Sequence, residues 1–191
     1  MGKLSFLLAI GLSASLASWA DASTKKVGDF ALLDHKGNFH QLRKYSDSKA
    51  VVIISLATHC LDNIEQLSKY RLLRTTWERQ GVSFLAIDSS VKDGIKEIQA
   101  MDQAYNVDLP ILLDDAQLVA ESLGIKKAGE IVVLEPNQSQ ILYRGGLDIE
   151  PSVANPERKI SFNEGASYLS DTLSKVISDE WDLVDTLVET E

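Results

Sequence analysis

The residues best suited to chemistry are Cys60 and its neighbour His59, since the 191-residue chain has one cysteine and three histidines. A cysteine thiolate is the nucleophile in disulfide exchange and in attack on a peroxide. A neighbouring imidazolium can stabilise that thiolate. One cysteine cannot close a disulfide within the chain, nor build a four-cysteine zinc site. Two interpretations follow: a thiol that reacts with an outside partner, or a small side chain buried in the core.

Cys60 falls where a buried strand is predicted to meet a helix. Residues 50–56 form a continuous, largely β-branched apolar run, typical of a strand buried on both faces. After Cys60, a helix is predicted to about Gln80, with an apolar stripe made of Ile64, Leu67, Leu72 and Trp77. Cys60 would therefore lie at the amino end of a helix, where unpaired N–H groups and a partial positive charge favour a thiolate.

The remaining pattern predicts an α/β fold with a mixed central sheet flanked by helices and an N-terminal β-hairpin. A second buried strand over 82–87 follows the helix, so the two strands would be parallel with a right-handed crossover. The other predicted elements are hairpins over 27–42 and 130–144 and helices over 92–105, 116–123 and 164–178. Ile95 is expected on a buried helix face, Asp114 and Asp115 as a helix cap, and Gly145-Gly146 as a strand end.

The charge balance excludes one class of partner. The chain carries 19 Lys and Arg against 28 Asp and Glu, a formal net charge of −9. Nucleic-acid-binding proteins present a basic surface, so we expect no nucleic-acid partner. With 45% hydrophobic and 25% charged residues the chain is typical of one globular domain.

The two ends differ from the predicted domain. Residues 1–22 resemble a signal peptide: Lys3 precedes an apolar run, and Ala20 and Ala22 form a small-residue cleavage site. The run is shorter than a bilayer-spanning helix, so we expect a periplasmic or secreted protein with no membrane span in its mature chain. The interpretation is a signal peptide (1–22), a single domain (23–178) and an acidic C-terminal tail (179–191).

Several short motifs resemble one known family. They are Phe30-x-Leu32-x-Asp34-x-x-Gly37, the strand leading into Ala57-Thr58-His59-Cys60, and Leu123-Gly124-Ile125 ahead of residues 130–134. Over residues 27–178 the chain is similar to the redoxin (alkyl hydroperoxide reductase/thiol-specific antioxidant) branch of the thioredoxin-like superfamily. The resemblance implies a thioredoxin-like fold and identifies Cys60 with the first, nucleophilic cysteine of a Cys-x-x-Cys site. Thr58 and His59 would support it.

The chain departs from this family at three positions. Asn63 stands where the second cysteine of the motif would lie, and Ala128-Gly129 stands where the superfamily has Thr-Pro with a cis proline beside the cysteine. Ala57 replaces the threonine of the peroxiredoxin Thr-x-x-Cys pattern. A two-cysteine cycle within the chain is impossible, so turnover would require an external thiol or a partner protein.

Three functions remain open at this point. The first is an exported redox protein that acts through Cys60, by thiol–disulfide exchange or peroxide reduction. The second is a degenerate, non-catalytic redoxin domain that serves as a binding or assembly module. The third, copper binding by His35, His40, His59 and Cys60, is disfavoured because related copper sites use two cysteines. We expect His35 and His40 to be exposed on the hairpin, and we expect no metal and no cofactor.

Overall fold

The computed structural model describes residues 26–147 and 163–178, so the predicted signal peptide (1–22) and acidic tail (179–191) lie outside the described residues. The strands are β1 (Ala31–Leu33), β2 (Phe39–Gln41), β3 (Ala50–Leu56), β4 (Val82–Asp88), β5 (Ile111–Leu113), β6 (Glu130–Glu135) and β7 (Gln140–Gly146). The helices are α1 (Leu61–Trp77), α2 (Ile95–Tyr105), α3 (Leu118–Leu123) and α4 (Asn163–Ile177). In this part of the chain no helix has the length and apolarity that a membrane crossing requires.

A mixed five-stranded sheet in the order β5-β4-β3-β6-β7 forms the centre of the fold, and β1 and β2 form a separate antiparallel hairpin. All seven residues of β3 are buried, because this strand has neighbours on both sides and helices over the sheet. Strands β3 and β4 are parallel, with Leu56 opposite Asp88, and β5 is parallel to β4, with Leu113 opposite Asp88. The segments that follow these three strands therefore emerge at one edge of the sheet.

Two apolar clusters cover the two faces of the sheet. Alternate residues of β3 supply each cluster, as the two-residue repeat of a strand requires. One cluster packs Val52 and Ile54 against α1, α2 and α4, with Tyr70 of α1 fully buried. The other packs Val51 and Ile53 against α3 and the segment that precedes β3. This burial on both faces fixes the position at which β3 ends and α1 begins.

The predicted fold class is confirmed, but several local predictions are wrong. Leu72 and Ile95 are exposed on α1 and α2, because the buried faces use Tyr70 on α1 and Ile98 and Met101 on α2. Strand β7 runs two residues past the predicted end at Arg144 and ends at Gly146. Helix α2 begins at residue 95 rather than 92, because the preceding residues form a turn. The short strand β5 is absent from the predicted elements.

The hairpin turn is organised by the buried carboxylate of Asp34. Its Oδ1 accepts the backbone N–H groups of Lys36 at 2.9 Å and Asn38 at 2.8 Å, and its Oδ2 accepts from the Asn38 amide at 3.0 Å. The His40 Nε2 lies 3.1 Å from the same oxygen. Burial opposes ionisation, but these hydrogen bonds outweigh it and lower the pKa of Asp34 to about 2.

The expectation that His35 and His40 are exposed is wrong. His35 is 1% exposed: its Nδ1 accepts the Ile111 N–H at 3.2 Å, and its Nε2 lies 3.0 Å from Asp102. His40 is half-buried between Asp34 and the Tyr45 hydroxyl. His40 contacts Asp34 of its own hairpin and Tyr45 just after it, whereas His35 lies within the contact between the hairpin and the main body. An isolated hairpin pattern contains no information about that contact.

We expect Asp34→Asn to destabilise the protein by about 2 kcal/mol at pH 7, because the charged acceptor of the turn is lost. The folded-state pKa, about 2, lies below the ordinary 3.8. The stabilisation is therefore fully present above about pH 4 and is lost as the pH falls through 2. Urea unfolding at several pH values measures it, with the exposed Asp47→Asn as the matched control. An unchanged unfolding free energy at pH 7 would contradict the prediction.

Candidate functional site

Cys60 lies at the edge of the sheet where β3, β4 and β5 end. It is the N-cap residue of α1, with φ −100° and ψ 103°, and its N–H donates to the Ala57 carbonyl at 3.2 Å. The residue is partly exposed, its thiol is free, and the side chain makes no capping hydrogen bond. Cys60 therefore stands at the amino end of α1, where the first N–H groups of a helix favour negative charge.

The carboxylate of Asp93 binds the backbone of the turn that carries Cys60. This carboxylate accepts the Thr58 N–H on Oδ2 at 2.8 Å, and the His59 Nε2 lies 3.3 Å from Oδ1. The Asp93 side chain is 1% exposed, whereas that of His59 is 70% exposed. Asp93 thus fixes the backbone of the turn and anchors an imidazole at the surface next to Cys60.

A second buried acid, Asp88, lies at the end of β4 beside Asp93. Burial first, and then the charge of Asp93, raise the pKa of Asp88 to about 7. Burial acts in the same direction on Asp93, but hydrogen bonds from Thr58 and the charge of His59 outweigh it, so that the pKa of Asp93 is lowered. The surroundings therefore shift the pKa values of these two neighbouring acids in opposite directions.

Residues Ala128 and Gly129 lie directly before β6, on the other side of β3. The Gly129 N–H donates to the Ser55 carbonyl at 2.8 Å, two residues before Ala57. Gly129 has φ +88°, a conformation that glycine adopts without strain. Residues 26–147 and 163–178 contain no cis peptide bond, so in the described structure this segment approaches the site as a trans backbone.

A cleft of about 500 Å³ opens at this edge of the sheet. Its walls include Ala57 from the end of β3, Ser89 from the loop after β4, Gln117 beside α3, and Lys126 and Ala128 ahead of β6. Because the Ala57 carbonyl accepts the Cys60 N–H, the cleft borders the turn that carries the thiol. The cleft therefore has room for part of a partner molecule on the side of the turn where Ala57 lies.

The structure does not bring the predicted copper ligands together. His35 contacts Asp102, His40 contacts Asp34, and His59 contacts Asp93. Among the described residues no group of three or more histidine, cysteine or acidic side chains is placed to hold a metal ion. We therefore do not carry the copper hypothesis further.

Of the predicted site residues, Thr58, His59 and Cys60 lie in one turn, and Ala128 and Gly129 lie on the opposite side of β3. Asn63 lies in the first turn of α1. Sequence reasoning missed both Asp88 and Asp93. An aspartate that ends an otherwise apolar strand, as Asp88 ends Val-Ser-Phe-Leu-Ala-Ile-Asp, was the available signal.

The mixed sheet, with a helix that begins directly after the central strand and its cysteine, has the thioredoxin-like fold. The AhpC/TSA family model matches residues 24–145, and the chain belongs to that family. No curated protein sequence gives a significant match.

Three solved structures share the fold. A hypothetical protein from Sinorhizobium meliloti is 20% identical, with 82% of this chain and 85% of that chain covered and a TM-score of 0.67. The peroxidoxin BcpB of Mycobacterium tuberculosis is 18% identical (78% and 94% covered, TM-score 0.59). The exposed lipoprotein thioredoxin of Streptococcus pneumoniae is 14% identical (77% and 99% covered, TM-score 0.58).

Proposed function

We propose that the protein is an exported redox protein that acts through Cys60, by thiol–disulfide exchange or by peroxide reduction, with a resolving thiol supplied from outside the chain. The observation that carries this proposal is the position of Cys60: a free, partly exposed N-cap residue of α1 at the carboxyl end of β3. A thiolate there is stabilised by the helix terminus and remains accessible to a partner.

In the exchange reaction, the Cys60 thiolate attacks one sulfur of a partner disulfide. A new S–S bond forms, the partner's S–S bond breaks, and the second sulfur leaves as a thiolate. In the peroxide reaction, the thiolate attacks the O–O bond; Cys60 becomes a sulfenic acid, and the remaining oxygen leaves as an alcohol or water after protonation. An outside thiol then condenses with the sulfenic acid, releasing water, and a second thiol regenerates Cys60.

The external thiol is required because Asn63 replaces the resolving cysteine of the family's motif. The cleft beside Ala57 and Ala128 offers a place for residues that flank the thiol or disulfide of a protein partner. Lys126 in its wall would favour a partner with nearby acidic groups.

Export is supported by the signal-peptide pattern of residues 1–22, and the structurally similar Streptococcus pneumoniae protein is an exposed lipoprotein. We expect expression of the full chain in a bacterium with a periplasm to yield a product that begins near residue 21 or 23. Amino-terminal sequencing of the periplasmic fraction measures this. Recovery of the uncut chain in the cytoplasm would contradict export.

We expect Cys60 to be alkylated by iodoacetamide at pH 7 about tenfold faster in the folded protein than in urea, because the helix terminus favours the thiolate. The reaction is followed by mass spectrometry, with Cys60→Ser as the unreactive control. A peptide disulfide should trap a mixed disulfide on the wild type alone.

The alternative function is a binding module without catalysis. It is favoured by Ala128-Gly129, which leaves the site without the proline of related redoxins. If the folded protein reacts no faster than the unfolded chain, the redox proposal is wrong and this alternative stands.

A further inference from the structure

Three side-chain oxygens beneath the Cys60 turn are buried and have no hydrogen-bond partner: Thr58 Oγ1, Asp88 Oδ2 and Asp93 Oδ1. The Asp88 residue is 3% exposed. The His59 Nε2 approaches Asp93 Oδ1 to 3.3 Å but outside hydrogen-bond geometry. Buried polar atoms without partners are rare and costly, so this cluster requires a physical explanation.

Asp88 Oδ2 and Asp93 Oδ1 are buried and unpartnered in the same region, and the charge of Asp93 acts on the Asp88 carboxyl group. Two ionised carboxylates are acceptors only, so neither can donate to the other. A proton on one of them supplies the missing donor and removes the repulsion between two adjacent negative charges. Asp93 is the better site for the charge, because it accepts the Thr58 N–H and lies beside His59. Asp88 is therefore the residue that carries the proton.

We propose that Asp88 and Asp93 share one proton beneath the turn, and that loss of this proton adds a negative charge that opposes the thiolate of Cys60. Asp88 and Asp93 are positioning residues here, since neither is placed in contact with the sulfur. This inference rests on the proposed function, because it concerns the reactivity of the same thiol. The raised pKa of Asp88, about 7, places the change in the neutral range.

The Asp88–Asp93 pair is connected to Cys60 through hydrogen bonds of a single turn. Asp93 Oδ2 binds the N–H of Thr58, and the N–H of Cys60 closes the same turn onto Ala57. Below about pH 7 the pair carries one negative charge, and above it two. A second negative charge near the turn raises the electrostatic cost of forming a thiolate. The reactivity of Cys60 should therefore rise less steeply with pH than that of an isolated thiol.

Other charged groups lie near Asp88 and Asp93, and their effects on Cys60 must be distinguished from the effect of this pair. His59 contributes from the turn, and Asp115 contributes from the segment after β5. Asp114 donates its N–H to the Asp88 carbonyl, and its carboxylate accepts N–H groups at the start of α3. Because His59 is an ionisable group 3.3 Å from Asp93, a His59→Gln variant must accompany any test.

The test is the rate of Cys60 alkylation by iodoacetamide from about pH 5.5 to 9, measured on the wild type, Asp88→Asn and His59→Gln. Asparagine keeps the shape and can donate to Asp93, so the pair is fixed at one negative charge. We expect Asp88→Asn to react about twofold faster than the wild type at about pH 8, where the wild-type pair carries its second charge, and equally fast at about pH 5.5. The ratio of the Asp88→Asn rate to the wild-type rate should rise as the pH passes through about 7, and the His59→Gln profile should follow that of the wild type.

A second measurement is independent of thiol reactivity and of whether Asp88→Asn folds. Carbon-13 NMR of the wild-type aspartate carboxyl groups should show one buried carboxyl that titrates near pH 7. If no aspartate titrates there, or if the Asp88→Asn rate profile matches that of the wild type, the inference is wrong, whereas the proposed function survives. An unreactive Cys60 combined with a carboxyl that titrates in that range overturns the proposed function and the coupling but leaves the shared proton.

Discussion

Replacing Asn63 with cysteine is expected to convert the one-thiol site into a dithiol site, in which Cys60 forms a disulfide with the introduced residue. Cys60 is the N-cap of α1 and residue 63 is the third residue of the helix. In a capping box, the side chains at the N-cap and N3 positions of a helix reach each other's backbone, so we expect two cysteines at this spacing to come within reach of each other. A disulfide requires such an approach. The new cysteine would resolve a mixed disulfide within the chain.

We expect Asn63→Cys to reduce insulin disulfides with dithiothreitol as the electron source at least about tenfold faster than the wild type, because resolution no longer waits for an outside thiol. The measurement is insulin precipitation over time. Asn63→Ser is the matched control, because it changes the same position without adding a thiol. The double variant Cys60→Ser/Asn63→Cys reports the contribution of the new cysteine alone.

A gain of this kind would show that the site lacks only its second sulfur. If the intramolecular disulfide forms in Asn63→Cys but insulin reduction does not increase, the trans segment at Ala128-Gly129 is the deficiency, because that backbone should align the substrate strand. If no disulfide forms at all, the expected geometry of the first turn is wrong.

The position of Cys60 could be predicted from the sequence because the determining signal is local. The apolar run of β3 and the change to helical periodicity mark where the strand ends and α1 begins, and that boundary alone locates the cysteine. The role of Asp93 could not be predicted in this way. It depends on a contact with Thr58 across 35 positions of the sequence, which is created by the parallel pairing of β3 with β4.

The errors in the fold have the same origin. His35 is buried because the hairpin packs against Ile111 and Asp102, which are far away in the sequence. Leu72 and Ile95 match a helical apolar repeat but lie on the exposed sides of their helices. Periodicity identifies a helix reliably, whereas the choice of its buried face depends on the packing of the whole domain.

Tyr70 is where this packing has the largest expected effect on stability. The side chain is fully buried between α1 and the sheet, with its ring edge-on to Phe84 at a centroid distance of 5.6 Å. Its hydroxyl donates over long distances, 3.5 Å to the Val52 carbonyl and 3.4 Å to the Leu85 carbonyl. Burial also raises the pKa of Tyr70 well above its usual value, so the phenol stays neutral. Most of its contribution should therefore come from the ring.

We expect Tyr70→Ala to reduce the free energy of unfolding by about 3–5 kcal/mol, because truncation leaves a ring-sized cavity in a packed core. Tyr70→Phe should cost about 1 kcal/mol or less, since it removes only two long hydrogen bonds. Urea unfolding followed by circular dichroism measures all variants. Leu72→Ala on the exposed face of the same helix is the control and should change stability by less than about 0.5 kcal/mol. A larger loss at Leu72 than at Tyr70 would mean that α1 turns its other face to the sheet, and the N-terminal geometry assigned to Cys60 would have to be revised with it.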